Sequence, residues 1–385
     1  MESAMTQAAR EERTGTGEPL SLGHQSVNPM SERRLMSIPP GVIIPGSLPK
    51  FRIYVLSPQG QYILWAQEGN TVTPDQLARL SNFGLKEVFV DLDEAFKYEE
   101  YLESHLEPIL EHPGTSDSQK AEIFSKVSTN VVKGAFETSL GLGRMGPDVV
   151  QRTQAMIEKA LIFIAEAKSL QAVTKMIGHD YKTYEHATKV LWFTVAFLGH
   201  HPEILERVQP GYPTFDEDRR TEVLRQCGVA ALLHDIGKAC ISQEILNKDG
   251  PLDQVEWEIL KRHPSDGTAM LLDSDMPLFV KKAVLHHHED FGGGGYPMNL
   301  EGMNITILGR VLRIMDVFDA MTSRRPYKEA VPPLKAVQIM VGTPEEKKDG
   351  EAPGQDDRDR GMRRCFDDEL LRKFIVFLGN AKLKG

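Results

Sequence analysis

The residues of this chain best suited to chemistry are concentrated. Nine of its twelve histidines, His179, His186, His200, His201, His234, His263, His286, His287 and His288, lie within a 110-residue window. Imidazole and carboxylate together make the ligand set of Zn, Fe, Mn and Ni sites, whereas Mg and Ca sites favour oxygen alone. Inside the window His234 and Asp235 adjoin in LLHDIGK, with Lys238 a turn later. Val223, Cys227, Ala230 and Ala231 form one stripe of the preceding helix, and extending it by three or four residues reaches His234, which is expected to point inward. Asp235 follows about 100° around the helix, where a carboxylate can approach a metal pair from a second side and bridge it, and Lys238 overhangs the same spot. Alone, the pair reads more readily as a satisfied core histidine beside a helix-terminal acceptor, since buried polar groups are usually just hydrogen-bonded.

Other stretches change that balance. KRHPSDG puts His263 before a proline at a helix-to-loop boundary; VLHHHEDFGGGGYP sets three histidines and Glu289 ahead of four glycines; RVLRIMDVFDAMTSRRPYK carries Asp316 and Asp319 within an amphipathic helix. There the apolar stripe is Leu308, Val311, Leu312 and Met315, so Asp316 adjoins the buried face. An unpaired carboxylate would be costly at that position, and a metal would remove the cost.

The elements that must position these groups follow from periodicity. Residues 1–45 are rich in Ser, Glu, Arg, Gly and Pro without a hydrophobic period and read as a disordered leader. Within 46–112, FRIYVLS and YILWAQ flank the PQGQ turn, a helix follows near 74–83 and then the strand KEVFVDL, which together make a small α+β domain. From 113 the pattern is helical: a connector over 113–146 that includes a helix at 118–140, then helices at 147–177, 183–199, 220–235, 253–262, 265–273, 277–287, 304–322, 332–340 and 367–379. The charged segment 342–361 reads as a mobile loop. The fold class is therefore an all-α C-terminal domain preceded by a small α+β domain and a leader.

With 385 residues, 41% hydrophobic and 26% charged, the chain is long enough for a large core, and its formal charge of −10 argues against a nucleic-acid polymer as partner. Three widely spaced cysteines suggest no disulfide framework or zinc knuckle, which fits a cytoplasmic location. VLWFTVAFLG is half the roughly 20 residues of a membrane span, so none is expected.

In order and spacing, HDYKTYEH, LLHDIGK, RHPSDG, HHEDFGGGGYP and DVFDAMTSRRPYK resemble the HD-GYP domain over roughly residues 150–385, about 60% of the chain. This family comprises all-α, metal-dependent bacterial phosphodiesterases of the HD superfamily that hydrolyse cyclic di-GMP. The resemblance implies an HD-type helical domain over 147–385, with metal ligands at His186, His234, Asp235, His263, His287, His288 and Asp316, and Asp235 as bridge. The register set by Glu289 and by Gly295-Tyr296-Pro297 leaves His286 outside the ligand set. Two divalent ions are implied, Fe or Mn first, with Zn or Ni also admitted by ligand softness. Some members carry a glutamate one turn before the first motif histidine that can hold a third metal; Lys182 stands there, so two ions are expected. Gly292 replaces a frequent aspartate, which affects the shape of the GYP loop.

The implied reaction is attack of a metal-bridging hydroxide on one phosphorus of cyclic di-GMP, giving linear pGpG and, more slowly, GMP. Asp235 and Lys238 would be catalytic, Lys238, Arg325 and Lys328 would bind phosphate, and Gly295 and Tyr296 would lie beside the substrate. The four glycines form either a lip against the substrate or a flexible turn. Implied partners are a diguanylate cyclase domain through the GYP loop and a second copy of the chain. The long helices of 118–177 suit a homodimer, and they suit packing within one chain equally. Two alternative functions are hydrolysis of another cyclic dinucleotide such as cyclic GMP-AMP, and binding as a signalling adaptor without turnover. Of the remaining candidates, Asp319 is expected to orient a ligand, His200 and His201 to bond helix-terminal carbonyls, His179 to lie at the surface or behind the ligands, and Cys240 to be a small buried hydrophobe.

Overall fold

The structure, a computed structural model, describes residues 34–82, 84–139, 145–165, 183–324, 329–342 and 361–380. The expected leader up to residue 33, the loop over 343–360, the helix extension 166–177, His179, Lys182, Arg325 and Lys328 lie outside the described residues. The chain divides into two compact units, 1–101 and 102–385.

The first unit is built on an antiparallel sheet of β1 (Leu35–Ile38), β2 (Ile53–Leu56), β3 (Tyr62–Ala66) and β4 (Val88–Asp91), in the order β1-β4-β2-β3. The expected hairpin is present: Ser57 N–H donates to Gln61 O at 2.8 Å, and Gly60 takes the positive φ of +76° that a side chain would resist. Helix α1 (Pro74–Asn82) is closed by a reciprocal cap, with Thr73 N–H donating to Gln76 Oε1 at 2.8 Å and Gln76 N–H donating to Thr73 Oγ1 at 3.3 Å. Phe51 is fully buried edge-on to Tyr98 and Tyr101 of α2 (Ala95–Ser104). One expectation is corrected here. The leader was to extend to residue 45, yet β1 lies within it, running Leu35 against Asp91 through to Ile38 against Val88. Four residues are too few to show a period, and the hydrogen bonds that make them a strand come from β4, more than fifty positions later.

In the second unit the described residues form helices α3 (Leu106–Glu111), α4 (Asp117–Ser139), α5 (Pro147–Ala165), α6 (Thr183–Gly199), α7 (Pro202–Val208), α8 (Glu217–Leu233), α9 (Gln243–Leu246), α10 (Gln254–Leu260), α11 (His263–Met270), α12 (Leu278–His286), α13 (Ile307–Thr322), α14 (Pro333–Val341) and α15 (Asp368–Asn380). Helix α6 is apolar nearly all round and lies at the centre. Its Trp192 is buried edge-on to Phe124 of α4 and Phe163 of α5, so the expected connector helix contributes to the same core. Gly228 lets α8 approach α6: a Cβ there would come within 3.0 Å of both Leu191 and Val195 side chains. Phe193 of α6, Phe318 of α13 and Phe374 of α15 pack edge to face and bring the C-terminal helix onto the bundle.

Local chemistry sets the helix ends. Asp216 caps α8 by accepting from Arg219 N–H at 2.9 Å, and Asp253 and Glu256 form a capping box on α10. Helix α11 begins at His263, earlier than the expected 265, because Pro264 occupies a first-turn position where no intrahelical N–H is needed. Helix α8 stops at Leu233 and continues as a 3-10 turn over Ile236–Cys240, so His234 and Asp235 occupy the joint rather than an unbroken helix.

The C-terminal attachment contains a buried ion pair. Arg310 of α13 donates to Asp367 Oδ2 at 2.6 Å, both side chains 6% exposed, while Asp367 Oδ1 accepts from the N–H groups of Glu369 and Leu370 at the start of α15. Asp367→Ala is expected to cost about 3–5 kcal/mol in urea unfolding, because it strands the arginine and uncaps the helix; joint replacement of both residues by apolar ones should cost far less. Equal losses in the single and double variants would show that the pair is not the source.

Candidate metal centre

Six elements deliver side chains to one point in the second unit. His186 comes from α6, His234 closes α8, and Asp235 precedes the 3-10 turn that bears Lys238. His263 opens α11, His287 and His288 follow α12, and Asp316 and Asp319 lie on α13. His186, His234, Asp235, His263, His287 and Asp319 are each no more than 2% exposed. The 3-10 turn meets α11 backbone to backbone: a Cβ on Gly237 would fall 2.0 Å from His263 O and 2.4 Å from Gly267 N. Glycine at 237 is thus required to bring Asp235 and His263 together. The sequence reading passed over it, although it lies in the HDIGK stretch.

Hydrogen bonds fix which ring nitrogens are free. His234, His263 and His287 each place Nδ1 on the carbonyl three residues upstream, Ala231 at 2.7 Å, Leu260 at 2.8 Å and Val284 at 2.6 Å. A carbonyl only accepts, so the ring proton belongs on Nδ1 and each Nε2 presents a bare lone pair. These lone pairs converge on Asp235. Its Oδ1 lies 3.2 Å from His263 Nε2 and 3.8 Å from His287 Nε2, while its Oδ2 lies 3.5 Å from His234 Nε2 and 3.9 Å from His186 Nε2. The Nε2 atoms of His263 and His287 face each other at 3.2 Å.

Two groups of potential ligand atoms result, each drawn together within 4.8 Å: Asp235, His263, His287 and His288 on one side, His186, His234 and Asp235 on the other. Asp235 belongs to both. His186 Nδ1 donates to Asp319 Oδ2 at 2.7 Å, which directs its Nε2 towards Asp316 Oδ1 at 3.1 Å. A carboxylate behind a histidine in this way sets the tautomer and strengthens the ring as a donor to metal.

These residues fit a pair of cations on their own chemistry. His234 Nε2 and Asp235 Oδ1 are buried without a hydrogen-bond partner, and several lone pairs point at one small volume. Buried acceptors in such a cluster are costly unless a positive charge lies among them. Lys238 supplies one such charge, donating to Asp235 Oδ2 at 2.6 Å. Burial opposes ionisation of Asp235, but Lys238 and the surrounding histidines prevail and hold its carboxyl well below the usual carboxylate range. Burial depresses the histidines in turn, His234 to about 4, with His263 and His288 also lowered. Neutral imidazole is the form that binds metal.

The site also uses residues that the sequence reading assigned elsewhere or missed. Glu289, read only as a register marker, is buried and accepts from Met298 N–H at 2.7 Å and Leu300 N–H at 2.8 Å, closing the GYP loop. Gly295 approaches the backbone of Glu289 and Asp290 so closely that a Cβ would lie 2.2 Å from Asp290 N, and Tyr296 stacks on His288 at 4.8 Å. Gly292 N–H donates to Arg364 O at 2.7 Å, which seats this loop on the 361–365 turn. His286 faces away from the cluster and accepts from Thr306 N–H at 3.2 Å. Asp319 orients His186, and His200 bonds Ala196 O, but His201 pairs with Glu203 at 3.0 Å instead of a carbonyl. Cys240 is exposed, contrary to expectation, at the end of the 3-10 turn over Ile236–Cys240.

A helical bundle that presents an adjacent histidine and aspartate to a buried histidine cluster defines an HD domain. The HD domain family profile matches residues 214–351. A cyclic di-GMP phosphodiesterase of Pseudomonas aeruginosa is 30% identical over 275 residues, which is 69% of this chain and 63% of that protein. A 3'3'-cGAMP-specific phosphodiesterase of Vibrio cholerae is 39% identical over 111 residues, 29% of this chain and 24% of that one. Among solved structures, an HDG"Y"P protein from Bdellovibrio bacteriovorus superposes with a TM-score of 0.52 at 18% identity, over 90% of this chain and 100% of that one, and so supports the fold. The chain carries an HD domain and is similar in sequence to these phosphodiesterases. It spans less than two thirds of the length of these curated phosphodiesterases. No helix among the described residues is long and apolar enough to cross a membrane.

The depressed histidines have a pH consequence in the metal-free protein. His234 and His286 take up protons near 4 when folded, chiefly through burial, against 6.5 for the unfolded reference. The unfolded chain therefore binds more protons between those values. Stability from these groups is full above about pH 6.5 and is lost as pH falls towards 4, with a slope of up to about 1.4 kcal/mol per pH unit for each group. Urea midpoints of chelated protein at pH 7, 5.5 and 4.5 should decline steadily; a flat profile would contradict the burial argument.

Proposed function

We propose that this chain is a metal-dependent phosphodiesterase that hydrolyses cyclic di-GMP to linear pGpG and then, more slowly, to GMP. The observation that carries the reading is Asp235, whose two oxygens face two separate sets of bare imidazole nitrogens. In this reading His263, His287 and His288 with Asp235 would hold one ion, and His186, His234 and Asp316 with Asp235 would hold the other, which the two groupings of potential ligand atoms support. Two divalent ions, Fe or Mn first and Zn or Ni by ligand type, would when bound supply an activated water near neutral pH and positive charge for an in-line phosphoryl displacement. The substitution of Lys182 for a carboxylate supports two ions rather than three.

The chain's own groups do the rest. Asp319 holds the proton on His186 Nδ1, and the carbonyls of Ala231, Leu260 and Val284 do the same for three further rings, so the ligands need no reorganisation. Lys238, which donates to Asp235 Oδ2, would exchange that carboxylate for a phosphate oxygen. Arg325 and Lys328, implied by the resemblance as phosphate-binding residues, would supply the local positive charge that an anionic substrate requires in a chain of net charge −10. Tyr296, stacked on His288, and Gly295 beside it would lie next to the substrate. The relative specific for cyclic GMP-AMP supports a second substrate reading that shares this machinery. A cytoplasmic location, contact with a diguanylate cyclase domain through the GYP loop, and a homodimer through α4 and α5 complete the reading.

The experiment is anaerobic purification, metal analysis, and chromatography of products from cyclic di-GMP and cyclic GMP-AMP supplied in parallel. Two ions per chain and pGpG as first product are expected, and chelation should abolish turnover until Fe(II) or Mn(II) is restored. His234→Ala and Asp235→Ala should each lose metal and lower turnover by about 100-fold or more. Binding of either dinucleotide with no product under any metal would replace the enzyme with an adaptor.

A further inference from the structure

Behind the histidine cluster lies a buried cation. Lys189 of α6 is 4% exposed, and its ammonium donates at 3.0 Å to the hydroxyl of Ser323, which is 1% exposed. Ser323 Oγ lies 3.0 Å from Asp319 Oδ1, and Asp319 Oδ2 lies 2.7 Å from His186 Nδ1. A lysine is seldom buried unless its charge is needed by a partner, because the charged head loses its water. Here the partner is reached through one hydroxyl, and beyond it stands a histidine of the cluster.

The two ends of this relay fix every proton between them. An ammonium only donates and a carboxylate only accepts, so Ser323 accepts from Lys189 and donates to Asp319. Asp319 Oδ1 is thereby occupied, Oδ2 faces His186, and the ring proton stays on Nδ1 with Nε2 bare. Helical spacing presents the groups in pairs: Lys189 follows His186 by three positions on α6, and Ser323, which ends α13, follows Asp319 by four. Ser323 N–H donates to Asp319 O at 2.9 Å and fixes the backbone that carries the hydroxyl, while Phe193 packs edge-on to Phe318 and holds the two helices together. If Lys189 only offset the C-terminal end of α13, its loss would lower stability and leave the ring of His186 as it was.

We propose that Lys189 and Ser323 are positioning residues for His186: the ammonium holds the serine hydroxyl on Asp319, the hydroxyl holds the carboxylate, and the carboxylate holds the imidazole with Nε2 towards the ion assigned to His186, His234, Asp316 and Asp235. Both residues act only through Asp319 and His186. The functional meaning rests on the two-metal reading above, whereas the hydrogen-bond relay belongs to the metal-free chain.

The test uses NMR of the full chain, uniformly 15N- and 13C-labelled and free of metal, followed by titration with zinc. In the wild type the Lys189 ammonium should give a slowly exchanging 1H–15N signal with a cross-peak to the Ser323 β-protons, and His186 should be protonated on Nδ1. Lys189→Met and Ser323→Ala should each shift His186 towards a mixture of its two tautomers, while His234, His263 and His287 stay protonated on Nδ1. Each should weaken the zinc step that moves the His186 Nε2 signal by about tenfold and leave the other step within about twofold. Joint replacement should weaken that step no further than Ser323→Ala does, because both residues act through the same hydroxyl. A Lys189 ammonium that exchanges as fast as those of surface lysines overturns the proposal in the wild type alone. So does a His186 ring that keeps its Nδ1 proton in both variants, and a lowered melting temperature with that ring unchanged would make Lys189 a helix-end cap instead. If wild-type protein binds no zinc, the two-metal reading fails, and the His186 tautomers of the metal-free proteins still decide the relay.

Discussion

The rest of the helical unit is organised around a single electrostatic constraint: a carboxylate and several unprotonated imidazole nitrogens are buried face to face. Such a cluster is unstable on its own, since like partial charges meet in a poorly solvated interior. Three backbone carbonyls and Asp319 hold the ring protons on the far side, so the lone pairs have no way to turn outward. Lys238 tempers the charge of Asp235. These contacts together prepare the site for cations before they arrive.

Holding that arrangement is the work of close-packed backbone. The 3-10 turn after α8 reaches α11 only because Gly237 and Gly267 have no side chains between them, and α8 nests on α6 through Gly228. The aromatic core of Trp192, Phe193, Phe318 and Phe374 fixes the mutual positions of α6, α13 and α15 and thereby of His186 and Asp316. Around the opening, Glu289 and Gly295 close the GYP loop on itself, while Arg313 and Arg364 tie it to α13 and to the 361–365 turn. The four glycines thus include members with specific steric duties, which a composition count of a flexible turn does not reveal.

Periodicity made most helices legible to within a few residues, because each buries one stripe on the common core and that stripe repeats along the chain. The boundaries that differed have two causes, a partner distant in sequence and a proline confined to a first turn. β1 depends on β4 for its hydrogen bonds, and α11 starts at His263 because the proline following it is tolerated in a first turn. At the site, the inward direction of His234 and the orienting place of Asp319 were readable from helical spacing. Arg313 and Glu289 were not, since a charged residue on an amphipathic helix or beside a glycine run ordinarily faces solvent.

The sequence by itself determined the inventory: a histidine-rich window, five ordered motifs, a helical period that assigns most of these residues to the inner faces or ends of helices, and a preceding sheet domain. It determined them because motif spacing and periodicity are local properties of the chain. The tertiary structure alone decided that Asp235 offers one oxygen to each of two histidine groups, that His286 takes the Thr306 N–H as its partner, and that His288 meets an arginine from another helix. Those outcomes depend on directions of lone pairs and N–H groups at angstrom distances between segments up to about 130 residues apart, as in the His186–Asp319 pair. No one-dimensional pattern carries that information, because a hydrogen bond is chosen by where its partner lies in space.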